Sequence, residues 1–305
     1  MVSIVPHLWF DGQVRAAVEF YTELFPDSEI TGTAVMEDTP GGDTVWYTFR
    51  LWGQEFQAID GGPFFTPNPS VSFFVNVDPS RVAGARGEVD RIVSALTDGG
   101  TELMPLGEYP FSPHYAWVQD RFGISWQVML TNPEGEPRPP IVPSLAFGNS
   151  AVGGAAAARS RYLELFDDAV PGSQVRFADM GMPEGSPEVP ADGVAYSDVR
   201  LAGTWFALMD TPGFPDVFNE GISLMIRCDS QEEMDRYWAV LSTVPEAEQC
   251  GWCKDEFGLS WQVVPKELDT MLLEGTLEQA KRVQDAFMPM HKLDLEALRA
   301  AYRGD

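Results

Sequence analysis

Cys250 and Cys253, in the string CGWC, have the spacing in this chain nearest to a reactive pattern. A dithiol of that spacing does redox work when its first sulfur sits at a helix N-terminus, where the dipole lowers its pKa. Here the string precedes a D-x-F-G turn and reads as strand, on which positions three apart point to opposite faces. One such pair also supplies only half of a zinc site. Neither redox nor zinc chemistry is expected, and three cysteines in all suit a reducing cytoplasm, the expected location. Proton chemistry has other candidates. His7 alternates with Leu8 and shares a strand face with Trp9. Glu108, in GEYPFS, is a loop carboxylate placed to act as a general base or simply to be solvated. Asp60 and Asp210 precede turns, and turn formation accounts for both. Trp9, Phe74, Tyr109, Phe111, His114 and Tyr115 supply aromatic or imidazole surface for a pocket or for a core.

The elements that must position these side chains are organised around one string. Asp120–Val128 reads DRFGISWQV and returns at Asp255–Val263 as DEFGLSWQV. Phe-Gly after an acidic residue makes a tight turn. In the strand that follows, Ile124, Trp126 and Val128 share one face while Ser125 and Gln127 share the other. A polar face backed by an apolar one predicts a strand with packing behind it and a pocket in front. The repeat extends further: IVPHLWF at Ile4–Phe10 returns as IVPSLAF at Ile141–Phe147, and YTELF at Tyr21–Phe25 returns as YLELF at Tyr162–Phe166.

Within each copy the order strand, helix, three strands occurs twice. In the first, Val14, Val18, Tyr21 and Phe25 mark one helix, and Val89, Ile92, Val93 and Leu96 another. Asp11 is placed to cap the first helix. NPEGEPRPP at Asn132–Pro140 is a polar, proline-rich linker. The expected organisation is a first domain over 1–131, a linker over 132–140, a second domain over 141–264 and a helical extension over 265–305. That extension, with Leu268, Met271 and Leu272, then a capping box Thr276-x-x-Gln279 ahead of Leu277, Ala280, Val283 and Phe287, is expected to lie over the second domain.

Composition narrows the class. The 305 residues suffice for two cored domains, and 44% hydrophobic content is that of a globular chain. A net charge of −26 disfavours nucleic acid and anionic membranes as partners. No stretch approaches a membrane span, and MVSIVPHLWF does not read as a signal peptide. Nothing reads G-x-G between a strand and a helix, so a turn for a methyl-donor nucleotide is not expected.

PHLWFDG, FYTELFP, GEYPFS, DRFGISWQV and CGWCKDEFGLSWQVVP together resemble the vicinal oxygen chelate superfamily of glyoxalases, bleomycin-resistance proteins and dioxygenases. More narrowly they resemble its PhnB-like, 3-demethylubiquinone-9 3-methyltransferase-like branch. The resemblance runs nearly the whole chain, twice. It implies an α+β fold of tandem glyoxalase-like domains, each of paired βαβββ modules forming a cupped mixed sheet, with a C-terminal helical tail. It also implies a small-molecule site in the cup, cornered by residues of the first, fourth, fifth and last strands. Carried over residue by residue, these are His7, Gln57, Ser72 and Gln127 in the first domain, and Ser144, Ala207, Ser223 and Gln262 in the second. The first cup, with Trp9, Phe74, Tyr109 and His114 around those corners and His7, Gln127 and Glu108 as catalytic candidates, is the expected site for a small oxygenated, carbonyl or aromatic molecule. No cofactor is firmly expected. One imidazole, two amides and a hydroxyl imply at most a weakly held divalent ion on His7 and Gln127. If the protein is an enzyme, the resemblance implies a lyase, isomerase or dioxygenase; the alternative is sequestration of the bleomycin-resistance type. Methyl transfer is not expected. A tether of this length predicts that the two domains associate within one chain, as a pseudo-dimer able to remain monomeric.

Overall fold

The structure, a computed structural model, describes residues 2–39, 42–180 and 192–305. The first half of the chain runs β1 (Ser3–Phe10), α1 (Val14–Leu24), β2 (Glu29–Thr39), β3 (Gly42–Leu51) and β4 (Gln54–Asp60). It continues through β5 (Val71–Val77), α2 (Ala85–Thr97), β6 (Thr101–Tyr109), β7 (Ser112–Gln119) and β8 (Ser125–Leu130). The second half repeats the pattern as β9 (Ile141–Gly148), α3 (Ala155–Leu165), β10 (Val170–Arg176), α4 (Phe177–Met180), β11 (Val194–Leu201) and β12 (Thr204–Thr211). Its last module is β13 (Ile222–Cys228), α5 (Gln231–Leu241), β14 (Trp252–Lys254) and β15 (Ser260–Pro265). The extension forms α6 (Glu267–Leu273), α7 (Leu277–Phe287) and α8 (Leu295–Arg303).

The strands form two mixed sheets, and each sheet takes one module from each half; three modules are βαβββ, and the last has two strands after its helix instead of three. The seven-stranded sheet has the order β14-β15-β13-β1-β4-β3-β2, and the eight-stranded sheet β10-β11-β12-β9-β5-β8-β7-β6. The seams between halves are antiparallel. β1 lies against β13 from Ser3↔Arg227 to Leu8↔Ile222, and β5 lies against β9 from Val71↔Leu145 to Val75↔Ile141. The fold class read from the sequence is therefore the one found, with paired modules and cupped mixed sheets. The partners within a pair come from opposite halves, so neither half closes a cup alone. The two halves interlock as an internal pseudo-dimer.

Packing within a half follows a different rule. The apolar face of β4 meets that of β5, with the Phe56 and Phe73 rings 5.1 Å apart. Phe73 in turn lies 5.3 Å from Trp126, which touches Tyr21 of α1 at 5.3 Å. In the second half Tyr162 of α3 lies 5.4 Å from Trp261. Each half thus holds two modules back to back through their apolar faces, while the opposite faces form the cups with the other half.

The repeated aspartate ties this together. Asp120 Oδ2 accepts from the Tyr21 hydroxyl at 2.7 Å and Trp126 Nε1 at 2.8 Å. Its Oδ1 accepts from the backbone N–H of Phe122 at 2.8 Å and Ile124 at 3.1 Å, which closes the D-x-F-G turn. Asp255 does the same with Tyr162 at 2.7 Å, Trp261 at 2.8 Å, Phe257 at 2.9 Å and Leu259 at 3.0 Å. A buried carboxylate with four donors is costly to delete, because every donor is left unpaired.

Some local expectations change. Asp11 does not cap α1; the carboxylate of Asp60, across the sheet end, accepts the Gly12 N–H instead. Asp210 likewise holds the entry to α3, accepting from Gly153 at 2.7 Å and Ala155 at 3.3 Å, and also from Val194 at 2.8 Å. These aspartates fasten strand ends to helix starts, more than the turn role read from sequence. The capping box at Thr276 and Gln279 forms, but Leu277 is 90% exposed, and the buried side of α7 is Val283, Gln284 and Phe287. The extension does not lie over the second half alone. Both α6 and α7 rest against β2 of the first half, and the Gln284 side-chain amide donates to the Glu37 carbonyl.

Two expectations follow. Asp120→Ala should lower unfolding free energy by about 3 kcal/mol or more, with Asp255→Ala similar, as measured by urea denaturation; a loss under about 1 kcal/mol would contradict the four-donor account. Residues 1–131 expressed alone leave β1 and β5 as open edges, so light scattering should find them self-associated or unfolded, and mixing with 132–305 should restore one 33.7 kDa-equivalent complex. A stable, folded monomer of 1–131 would overturn the shared-sheet reading.

Candidate functional site

The strand pairing redistributes the cup corners. His7 neighbours Gln57 across the β1–β4 ladder and Ser223 across the β1–β13 seam. Gln262 Nε2 donates to Ser223 Oγ at 2.9 Å. The seven-stranded cup is therefore cornered by His7, Gln57, Ser223 and Gln262. In the eight-stranded cup Ser72 faces Ser144 across the β5–β9 seam, and Gln127 Nε2 donates to Ser72 Oγ at 2.9 Å. That cup is cornered by Ser72, Gln127, Ser144 and Ala207. His7 and Gln127, expected to share a site, lie in different sheets.

The seven-stranded cup is full. The Trp252 ring stands perpendicular to the His7 ring at 5.4 Å and lies 6.0 Å from Trp9, whose Nε1 donates to the Gly62 carbonyl at 2.7 Å. Helix α6 covers the far side, with Asp269 taking the Gln57 amide at 3.2 Å and the Leu273 side chain against Gly32. His7 is 3% exposed, and burial holds its imidazole pKa down to about 3. Its Nδ1 and the Gln57 Oε1 are buried without a hydrogen-bond partner.

The eight-stranded cup holds a cavity of about 670 Å³. Phe74, Tyr115, Trp117 and Val142 form an apolar cluster separate from the main core, and Met104, Met129, Tyr196 and Met209 extend it. Trp117 stacks on Phe214 at 4.8 Å with the planes 7° apart. A polar relay runs along one wall. The Tyr115 hydroxyl donates to Gln127 Oε1 at 2.7 Å, and Gln127 donates onward to Ser72. Trp117 Nε1 donates to Ser125 at 2.7 Å, and Ser144 Oγ is buried without a partner. Burial pushes the Tyr115 phenol well above its ordinary value, so this wall carries no group that titrates near neutrality. At the rim, Arg138 of the linker pairs with Asp198 at 2.7 Å and lies 3.9 Å over the Trp205 ring. Phe111, Val175 and Met180, all exposed, line the mouth.

Of the residues singled out in the sequence, this cavity gathers Phe74, Phe111, Tyr115 and Gln127, with Ser72 behind Gln127 and Tyr109 packed beside Tyr115 at 5.3 Å. It does not gather His114. That residue shares strand parity with Ala116 and Val118, faces α2, and places Nε2 2.5 Å from Asp90 Oδ1. Glu108 is exposed on β6 and lines neither cup. His7, Gln57 and Trp9 belong to the other sheet. Sequence reasoning missed Trp117, Met129, Met209, Tyr196 and Arg138. Trp117 and Met129 share the parity of Tyr115 and Gln127, which was the available signal. The contributions of β11 and β12 had none, because they enter only through the cross-half seam. Cys250 sits in a turn at a φ of 52° and Cys253 is buried on β14, with both thiols pushed up by burial, as befits unreactive sulfur.

A divalent ion of the kind the resemblance implies does not suit either donor set. The eight-stranded cup offers two hydroxyls, an amide and an alanine. The seven-stranded cup offers one imidazole, two amides and a hydroxyl; its neighbouring carboxylate, Asp269, is engaged by Arg227 at 2.8 Å. Among the described residues no three His, Cys, Asp or Glu side chains cluster as ligands.

Paired βαβββ modules, two per cupped sheet, define the glyoxalase-like class, and comparison with known proteins agrees. Glyoxalase I of Zea mays, solved as a single-residue mutant, matches over 87% of this chain and 93% of its own at a TM-score of 0.51 and 13% identity, a likeness of fold. A second mutant of the same enzyme covers 89% and 97% at a TM-score of 0.50 and 13% identity. The family described as 3-demethylubiquinone-9 3-methyltransferase matches residues 2–129 and again 139–264, and the chain belongs to that family. The PhnB protein of Bacillus cereus is 39% identical over 42% of this chain and 98% of its own, with a TM-score of 0.37. No curated protein matches the chain.

The buried His7 gives a pH expectation. Its pKa in the fold is about 3 against 6.5 ordinarily, so between those values the unfolded chain binds a proton that the fold excludes. Stability contributed by neutral His7 is present above about 6.5 and falls as pH drops, with a slope of at most about 1.4 kcal/mol per unit. His7→Gln should flatten that part of the stability–pH curve, as read from denaturation midpoints at several pH values; an unchanged slope would contradict the burial of a neutral imidazole.

Proposed function

We propose that this protein binds a flat, partly aromatic, oxygenated small molecule in the cup of the eight-stranded sheet and does so without transforming it. The observation carrying this reading is the cavity itself. Its size is that of small-molecule sites, and it is lined by rings and thioethers with a few convergent polar groups. Aromatic faces at Phe74, Tyr115 and Trp117 suit a planar body. The Tyr115–Gln127–Ser72 relay suits a carbonyl or hydroxyl at one edge. The Gln127 wall lacks an acid, base or nucleophile near neutrality, which favours retention over turnover. On this reading the ligand sits between the halves, at a site both contribute to, and is sequestered rather than put through lyase, isomerase or dioxygenase chemistry. The methyl transfer in the family description finds no support in the sequence, which has no glycine-rich strand-to-helix turn to hold a methyl-donor nucleotide.

The test uses 2-naphthol, a planar neutral phenol, followed by its own fluorescence. Micromolar binding at one site per chain is expected, with recovery of the compound unchanged. Met209→Trp, which fills the cavity from β12, should weaken binding at least about tenfold, while His7→Ala, in the other sheet, should not. Equal binding by Met209→Trp, or consumption of the compound dependent on Tyr115 or Gln127, would overturn the proposal.

A further inference from the structure

The two cups are built alike, and in both the segment following the last strand returns across the cup. After β8 the linker rims the eight-stranded cup and fastens Arg138 to Asp198 of β11. After β15 helix α6 crosses the seven-stranded cup and fastens Asp269 to Arg227 of β13. The first segment leaves its cup open; the second occupies it. What α6 inserts is a carboxylate carried on an apolar body. Asp269 Oδ2 meets Arg227 Nη2 at 2.8 Å, and the Gln57 amide reaches both carboxylate oxygens at 3.2 Å. Arg227 also holds Glu55 at 3.0 Å on its outer side. Met271 is buried, and Leu273 lies against Gly32.

We propose that the seven-stranded cup is a second ligand site, selective for a small carboxylate bearing an apolar group, and that the chain's own Asp269 occupies its anion subsite until α6 is displaced. Three buried polar atoms of this cup are left over by the internal occupant. Arg227 Nε, Gln57 Oε1 and His7 Nδ1 have no hydrogen-bond partner, although Gln57 is fully buried and His7 nearly so. A well-fitted permanent core satisfies such groups. A site shaped for a different occupant leaves them open when its own chain stands in. Burial raises the Asp269 carboxyl above its usual range despite Arg227 and Gln57. The internal occupant is therefore held against a desolvation cost. A free carboxylate can place the same charge on Arg227 while its remaining atoms reach the open groups.

The test removes the internal carboxylate from the full-length protein and offers one from solution. Benzoate is titrated by calorimetry into the wild-type protein, Asp269→Ala, Asp269→Asn and the double variant Asp269→Ala with Arg227→Gln; benzamide is the uncharged control. Benzoate should bind both single variants at least about tenfold more tightly than wild type and raise their thermal midpoints. The double variant should lose that gain, and benzamide should show none. Benzoate entering the eight-stranded cavity would bind all four proteins alike, so failure here is distinguishable from failure of the function proposed above. Should Asp269→Ala fold only in the presence of benzoate, that rescue supports the site. Equal affinity in wild type and both single variants, or a gain that survives Arg227→Gln, overturns it.

Discussion

The arrangement of this protein depends on two antiparallel seams, β1 on β13 and β5 on β9. Strand edges are strong templates for pairing, and a βαβββ module ends at one such edge. Two modules of one half cannot satisfy both requirements at once. Back to back, they bury their apolar faces, as Phe56 on Phe73 does, but their β1 and β5 edges then lie in different layers. The second half supplies the missing edges. Burial is thus settled within a half and hydrogen bonding between halves, and the cups fall at the places where the two meet.

That division explains the roles of the repeated string. Asp120 and Asp255 join helix, turn and strand of different modules within one half, through Tyr21 and Trp126 or Tyr162 and Trp261. They hold the back-to-back layers in register. On the other face of the same strand, Gln127 and Gln262 each donate to a serine of the neighbouring strand, Ser72 or Ser223. One string serves the core with its apolar parity and the cup with its polar parity. A shift of one residue would exchange the two, which accounts for the tight turn and four-donor aspartate that fix where the strand begins.

Much of this was legible in the sequence. Alternation and turn chemistry located β1, β5, β8 and their copies, and parity put Gln127 and Ser72 on a shared face. The pairing between modules was not legible, because β1, β5, β9 and β13 are all short apolar strands with similar alternation. Nothing local distinguishes Ser223 from Ser72 as the neighbour of His7. From that gap came the expectation of His7 and Gln127 in one site. His114 was a different failure. Its parity with Ala116 and Val118 already placed it toward α2, but an imidazole among apolar neighbours reads as a pocket residue unless its partner, Asp90 on the helix, is also known. Asp269 was hidden for the same reason: its partners Gln57 and Arg227 lie far away in sequence.

Duplication within one chain permits what a symmetric dimer cannot, since two identical subunits must present identical cups. Here the segment after β8 must run directly into β9, so it can rim its cup but has little length to enter it. The segment after β15 carries three helices. The cup it crosses has an imidazole, two amides and Arg227; the cup left open has rings, thioethers and hydroxyls around one amide, Gln127, with Arg138 only at its rim. Polar groups in a dry cup are costly when exposed to an ill-fitting occupant, whereas an apolar cavity costs less to leave empty. The division of the two cups into a covered polar one and an open apolar one follows from that difference in cost together with the different lengths of chain available to close them.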